Sequence, residues 1–568
     1  RIKLGNRSSE RALLAAENLS ALAVSKAGLG CNSNKLEFAW RDVLFTHFHD
    51  ILTGSCVQDS REHAMGLYSN SLAVAQTQTV RAMEAIASAI DTSSIAVDIM
   101  AEKSQSEGAG VGYGVENFAG SPRAERGSGR TRIFTVFNPT TAEKTEPVEL
   151  TVWDWTGNLR RVKLTDADEN PLEFQMIDHG QQEYWSHKYF RVLVYVNVKV
   201  LGYTTVVLNE GELESDYPVY YQPSHRTSGI PNNYVLENEF IRAEFDYTNG
   251  RLISLRDLAS GEEYFRAGQS AGLCFVDTER ASSNAWNIGN YLRETPIDKA
   301  VNLHYEINGG LRRGFYAEYK VASSTARVHV YLDKNARAIS YKTEIDWREI
   351  GGETIPVLTY TLPLSYDTNK FLYDIPAGSI VRAPINNDVP ALQYGMAIRE
   401  SGLSAAIVTE SKYGYRGSSD GKLTATFINT SVSPDPYPER GVHKINFCVG
   451  LFPACPKSME ETATSLNNKL CYQPTGSHRG TLPVAASLLE FKSDSSIITA
   501  VEACGTTLTV RVCNLTDKTD TATLDFPAPV SAEEIDLNGH TLAPASVSGG
   551  AVTLQLKPFE IKGVKITL

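Results

Sequence analysis

The stretch Thr46-His47-Phe48-His49-Asp50-Ile51-Leu52-Thr53-Gly54-Ser55 crowds two histidines and an aspartate into four residues. A neutral imidazole is a good metal ligand, and a carboxylate beside it can orient the ring or accept a hydrogen bond from a bound hydroxyl. The apolar spacing Trp40, Val43, Leu44, Phe48, Ile51 predicts a helix over 36–52, ending at Gly54. Successive residues of a helix turn by about 100°, so His47 and His49 face nearly opposite sides and cannot both bind one metal from it. One of them, with Asp50, can line a site. A histidine near a helix C-terminus is also favoured by the helix dipole alone, and the pattern by itself leaves both readings open. A single histidine is not a zinc site, because zinc takes three or four protein ligands. The remaining histidines, His63, His179, His187, His225, His304, His329, His443, His478 and His540, form no ligand pair at helical spacing. His63 reads as a surface residue at the start of a helix, and His443 as a surface histidine at the start of a strand. No GxSxG, P-loop or strand-following GxGxxG is present.

Composition narrows the class. The chain has 568 residues, enough for about three or four domains, and a formal net charge of -12. It lacks the basic surplus of a nucleic-acid binder and any apolar run of the ~18–20 residues a membrane helix needs. Eight cysteines are too few for a disulfide scaffold. Cys448/Cys455 and Cys504/Cys513 are spaced as strand neighbours could be, with buried free thiols as the simpler reading. The scarcity of cysteine and the position of Cys56 fit a reducing cytoplasm. The first residue is Arg1 and no signal peptide follows it, so the expectation is either a processed start or a piece of something longer.

The elements that must position the motif fall into two regimes. Helices are predicted over 7–25, with Ser8 or Ser9 as cap and Gly28 and Gly30 as stop, over 36–52, and over 60–90 behind an Asp59/Glu62 capping pattern. They suggest a three-helix bundle over 1–100. The glycine-rich stretch 101–131 reads as a flexible linker. From Arg132 the period becomes two, and Asn249-Gly250, Asn308-Gly309 and Asp420-Gly421 mark turns. The expected fold class is α+β, mostly β: the bundle, a small β-sandwich over 132–229, a large central antiparallel sandwich over 230–482, and a C-terminal β-domain over 483–568.

At the histidine motif the sequence resembles the class II α-mannosidases, glycoside hydrolase family 38. Trp40-Arg41-Asp42-Val43-Leu44 followed by His47 to Ser55 is similar to the family's zinc-site segment. The resemblance continues through Lys3 to Arg7, Phe137-Asn138-Pro139, Leu236 to Asp246, Glu410 to Tyr415, Pro434-Asp435-Pro436 with His443, Asp536 to Gly539, and Pro558 to Ile561. It implies that His49 binds one zinc ion as cofactor, that Asp50 hydrogen-bonds sugar hydroxyls, and that Tyr373, in Phe371 to Gly378, contacts the sugar. It also implies retaining hydrolysis of terminal α-mannosides, with two carboxyl groups about 5–5.5 Å apart. The family's nucleophile, acid/base and other zinc ligands lie on an N-terminal α/β domain that does not match any part of this chain. That domain is the expected partner, besides the α-mannoside substrate. No catalytic residue is assigned here, no nucleic-acid or membrane partner is expected, and homo-oligomer formation is left open. By this reading the chain alone is inactive.

Glu439-Arg440 departs from the acidic D-x-G common in the family, which weakens any role for that turn. Two other readings compete. One is a mannosylglycerate-type hydrolase of the same family. The other is a stand-alone carbohydrate-binding β-sandwich module, which would need aromatic platforms. Trp153, Trp155, Trp185, Trp286 and Trp347 are available, and each reads more simply as core.

Overall fold

The computed structural model describes residues 1–31, 33–97, 129–181, 187–212, 233–528 and 530–568. Nearly all of the expected linker, with Trp185 and His225, lies outside the described residues.

Three helices come first: α1 (Ile2–Ala27), α2 (Ser33–Phe45) and α3 (Gln58–Ala89). Helix α1 begins earlier than its apolar spacing suggested, so Ser9 is a fully buried interior residue rather than a cap. Its end is as expected: Gly28 adopts φ 66°, a left-handed conformation that suits glycine, and its N–H closes on Ala23 O. Helix α2 stops at Phe45, well short of the expected end. Helix α3 starts behind Val57 without a side-chain cap, and Asp59 instead places its charge in the positive first turn. The helices share a small core of Leu13, Ala16, Leu36, Ala39, Val43 and Ala75.

Five sheets make the first sandwich and the large one. Strands 471–475, 132–137, 202–210 and 485–487 form one sheet in that order, with 162–166 also pairing on 202–210. It faces a three-stranded sheet of 144–153, 188–198 and 174–181 across a core of Phe134, Leu150, Val192 and Val206. Segments on both sides of residue 482 thus belong to the first sandwich: Cys471–Thr475 pairs antiparallel with Arg132–Phe137, and Ala485–Ser487 with Gly202–Glu210. The large sandwich has a nine-stranded and a six-stranded antiparallel sheet, and a three-stranded sheet of 234–237, 241–245 and 252–257 packs on the same core. Strand 324–333 alternates buried and open along its length, as a sheet with one covered face must. Between the sheets Tyr341 stacks on Phe447 at 4.5 Å, and Tyr360 and Phe427 lie 4.8 Å from the same ring. Helix α4 (Pro456–Asn467) covers part of the nine-stranded sheet through Met459 and Ala463. Two further sheets, of four and five strands, close the C-terminal domain. Among the described residues no helix is long and apolar enough to cross a membrane.

The helices are held from two sides. Leu19, Leu22, Ala82, Met83 and Ile86 share one core with Phe137 and Tyr203 of the first sandwich and with Val501, Leu508 and Val510 of the C-terminal domain. At the other end α1 crosses α3 where Gly5 meets Tyr68, which is 1% exposed. A Cβ on Gly5 would stand 2.4 Å from Cδ2 of that ring. Gly5→Ala should therefore destabilise by about 1–3 kcal/mol despite alanine's better helix propensity. Urea unfolding checks this: the midpoint should fall, and a rise would mean that Tyr68 moves aside at no cost.

Candidate functional site

The histidine motif sits on a chain of tight turns, not on a helix. Thr46 is fully buried and its hydroxyl donates to Val43 O at 2.6 Å, competing with the helical bond there. The next N–H groups, of His47 and Phe48, reach back only three residues, to Leu44 O and Phe45 O. Gly54, at φ 81°, closes the last turn on Ile51 O at 2.8 Å. Side chains then lock the loop. Thr53 Oγ1 donates to His49 O at 2.9 Å, Ser55 Oγ donates to Asp50 O at 3.3 Å, and Lys3 Nζ of α1 donates to Thr53 O. Ile51 anchors it in a core of Ile2, Cys56, Ala64 and Tyr68.

The two histidines diverge, as expected, though for a different reason than helical rotation. His47 turns inward: its Nε2 is 2.8 Å from Asn6 Oδ1 and 3.4 Å from Glu10 Oε1. Burial works to raise the Glu10 carboxyl, but His47, Arg7 at 2.8 Å and Asn6 outweigh it and hold it below the ordinary range. His49 turns outward with a side chain 79% exposed, leaning on Phe48 at 4.3 Å, its Nε2 3.7 Å from Asp50 Oδ2. Around it Leu44, Phe45, Phe48 and Val57 are also exposed. His47 is thus a positioning residue, and His49 presents a ring nitrogen to whatever approaches this face.

On the other side of the turn lies a cleft of about 430 Å³, walled by Thr53 and Gly54, by the start of α1 and by the large sandwich. Its polar groups include Lys3, Asp388, Lys412, Tyr413 and Glu439. Burial pushes both lysines down and the Asp388 carboxyl up. Lys3 and Arg7 stand 6.0 and 5.7 Å from the Tyr413 ring, tying α1 to the sandwich. Trp286, read from sequence as core, is 51% exposed and lines this cleft, whereas Trp153 and Trp347 are buried as expected. Nothing in the sequence around Trp286 distinguishes it from a core tryptophan.

Two residues lie deeper than their expected roles suggest. Tyr373 is 1% exposed, inside the large sandwich beside Tyr415 at 6.3 Å. His443 does begin a strand but is 4% exposed, its Nε2 donating to Glu439 O at 2.5 Å. His63 is at the surface, edge-on to Phe45. Among the described residues no group of three or more His, Cys, Asp or Glu could hold a metal ion. His49 and Asp50 thus stand together on the exposed turn without a third such side chain beside them among the described residues.

Burial lowers His443 from 6.5 to about 4. Between those values the unfolded chain binds a proton that the folded chain does not. His443 thus contributes stability that is complete above pH 6.5 and is lost as the pH falls towards 4, on the order of 3 kcal/mol in all. Urea unfolding at pH 7 and pH 4.5 should show a smaller acid loss for His443→Gln than for the parent. Equal losses would remove His443 from the acid sensitivity.

Comparison with known proteins matches three successive regions. The alpha mannosidase middle domain matches residues 1–86, the glycosyl hydrolases family 38 C-terminal domain 236–437, and the glycosyl hydrolases family 38 C-terminal beta sandwich domain 496–564. Alpha-mannosidase 2C1 of Homo sapiens is 24% identical over 465 residues, covering 79% of this chain and 36% of that protein. The Mus musculus protein of the same name is likewise 24% identical, covering 79% and 37%. The chain thus spans little more than a third of the length of these curated relatives. Among solved structures, a glycosyl hydrolase family 38 protein from Enterococcus faecalis superposes with a TM-score of 0.78 at 18% identity, covering 99% of this chain and 70% of that one. An alpha-mannosidase from Enterococcus faecalis V583 does so with 0.75 at 17% identity, covering 99% and 67%. With its helical, large-sandwich and C-terminal regions all matched in the family's own order, the chain belongs to glycosyl hydrolase family 38.

Proposed function

We propose that this chain is the helical and β-sandwich portion of a zinc-dependent, retaining α-mannosidase, and that residues outside these 568 supply the nucleophile, the acid/base and the other zinc ligands. The observation that carries the proposal is the split between the two histidines. His47 is consumed by Asn6 and Glu10, while His49 stands exposed on a turn fixed by Thr53, Ser55 and Lys3. A side chain 79% exposed gains nothing for the fold, yet its backbone is held by several hydrogen bonds. That is the arrangement expected of a preorganised ligand. The exposed apolar residues around it are the kind of surface that further polypeptide covers.

In this reading His49 donates one nitrogen to zinc, and a bound zinc would clamp adjacent hydroxyls of the terminal mannose and polarise them. Asp50, next to it and 46% exposed, accepts hydrogen bonds from those hydroxyls and fixes the ring's orientation. Retaining chemistry also needs two carboxyl groups about 5–5.5 Å apart across the glycosidic bond, and in this reading residues outside these 568 supply both. The cleft that Thr53 and Gly54 of the turn help to line also holds Trp286, Lys412 and Tyr413, and in this reading it is where the remainder of a mannoside binds, against the exposed indole.

The 568-residue chain by itself should hydrolyse no aryl α-mannoside and bind zinc only weakly. Turnover by the purified chain, free of other polypeptide, would overturn the division of the site. In the protein completed by its remaining residues, His49→Ala should lose zinc, read by metal analysis, and nearly all activity. Asp50→Asn should keep the metal and lower kcat/KM about 10–100-fold. An active, zinc-replete His49→Ala protein would remove His49 from the site.

A further inference from the structure

Cys31 lies just past the left-handed end of α1, where Leu29 N–H bonds Ala23 O at 3.2 Å and fixes the course of the loop. Cys504 ends strand 496–504 of the C-terminal domain, immediately before Gly505, whose φ of 62° turns the hairpin back. Helix α1 packs along this same strand. The packing brings two cysteines 473 positions apart in sequence (504 minus 31) to one spot on the surface. Cys31 Sγ is 3.9 Å from Ala503 O, the carbonyl just before Cys504, and 3.3 Å from Ser33 Oγ, and the two thiols are near enough to shift each other's ionisation. Both are exposed, unlike Cys56, Cys274, Cys448 and Cys513, which are buried. Cys504 and Cys513, one of the pairs suggested by sequence spacing, are not opposite each other: Cys504 lies opposite Thr507, and Cys513 opposite Ile497.

We propose that Cys31 and Cys504 form a reversible disulfide that clamps the helical region onto the C-terminal domain, with hydrogen peroxide as the oxidant. Cys31 is the attacking thiol. Burial works against its ionisation, but the hydrogen bonds from Cys504 and Ser33 outweigh it and hold the thiol below its ordinary range, while Cys31 in turn pushes Cys504 up. The Cys31 thiolate attacks one peroxide oxygen and the O–O bond breaks. The product is a sulfenic acid at Cys31, and the departing hydroxide takes a proton to become water. The Cys504 sulfur then attacks the sulfenic sulfur, the S–O bond breaks, and the Cys504 proton leaves with the oxygen as a second water. Overall two thiols and one peroxide give one disulfide and two waters. A dithiol reductant reverses it by exchange.

The test treats the reduced chain with equimolar hydrogen peroxide, alkylates the remaining thiols, and maps the unreduced digest by mass spectrometry. The expected product is a cross-linked peptide pair containing Cys31 and Cys504, absent after dithiothreitol. On a non-reducing gel it gives a faster band, because the covalent loop spans most of the chain. Cys31→Ser and Cys504→Ser should each abolish that band. Both positions are exposed, and unchanged circular dichroism melts would confirm that the variants fold. Recovery of Cys31 as a sulfinic or sulfonic acid without the cross-link would overturn the proposal. So would a fast band that persists in either variant, or two alkylated thiols in treated wild-type chain.

Discussion

The structure around His49 depends on how the first turns of α1 are wedged between the motif and the large sandwich. Asn6, 2% exposed, is the pivot: its Nδ2 donates to Glu10 Oε1 at 3.0 Å while its Oδ1 meets His47. Glu10 in turn holds Arg7, and Arg7 lies over Tyr413 of the sandwich. One short network therefore sets the position of the turn relative to the sandwich cleft. Its members are partly or wholly desolvated, so an unpaired partner would be costly, and that cost is what makes the register of α1 unambiguous.

The same contact continues along α1 with stronger charges. Arg11 Nη2 donates to Gln393 Oε1 at 2.8 Å and also to Glu410 O, and burial brings its guanidinium down to about 9. Gln393 sits in a loop whose N–H groups, with those of Leu392 and Tyr394, all donate to Asp374 Oδ1 at 2.9–3.1 Å. Glu460 of α4 reaches the same glutamine and is raised to about 7 by burial. Buried ionic groups of this kind are weak sources of net stability. Here they join α1, α4 and the nine-stranded sheet at one place, and a slip of α1 by one turn would strand the Arg11 guanidinium away from Gln393 and Glu410 O.

Legibility from sequence follows the same division between local and long-range causes. The helical start, the β-rich remainder and Gly28 as a stop depend on local propensity and period, and they stand out in the chain. The true end of α2 does not, because Thr46 breaks the helix with its hydroxyl while the apolar spacing runs on through Phe48 and Ile51. The partner of Cys471–Thr475 is equally hidden, since strand pairing across more than three hundred residues leaves no local mark. At the site, the motif residues were visible as a cluster of rare types. The burial of Tyr373 and the exposure of Trp286 were not: the alternation of a strand does not say which of its faces the sandwich covers when both sides are apolar, as in Phe371–Ile375, where the first four residues are all buried, and Trp286 lies between strands.

The pairing of distant segments also bears on whether any β-domain here acts as a module of its own. A stand-alone carbohydrate-binding sandwich needs a closed core and an open aromatic face. The C-terminal domain has no such closure, because Val501, Leu508 and Val510 share their core with Leu19, Leu22 and Ile86 of the helices and with Tyr203 of the first sandwich. The first sandwich is likewise completed by strands 471–475 and 485–487, which the chain reaches only after threading the large one. Excising any of these units would expose a continuous apolar surface. The tryptophans point the same way: Trp153 and Trp347 fill cores, and Trp286 faces the cleft beside the histidine turn. The β-domains are therefore best understood as one interlocked scaffold that brings α1, the His49 turn and that cleft to one place.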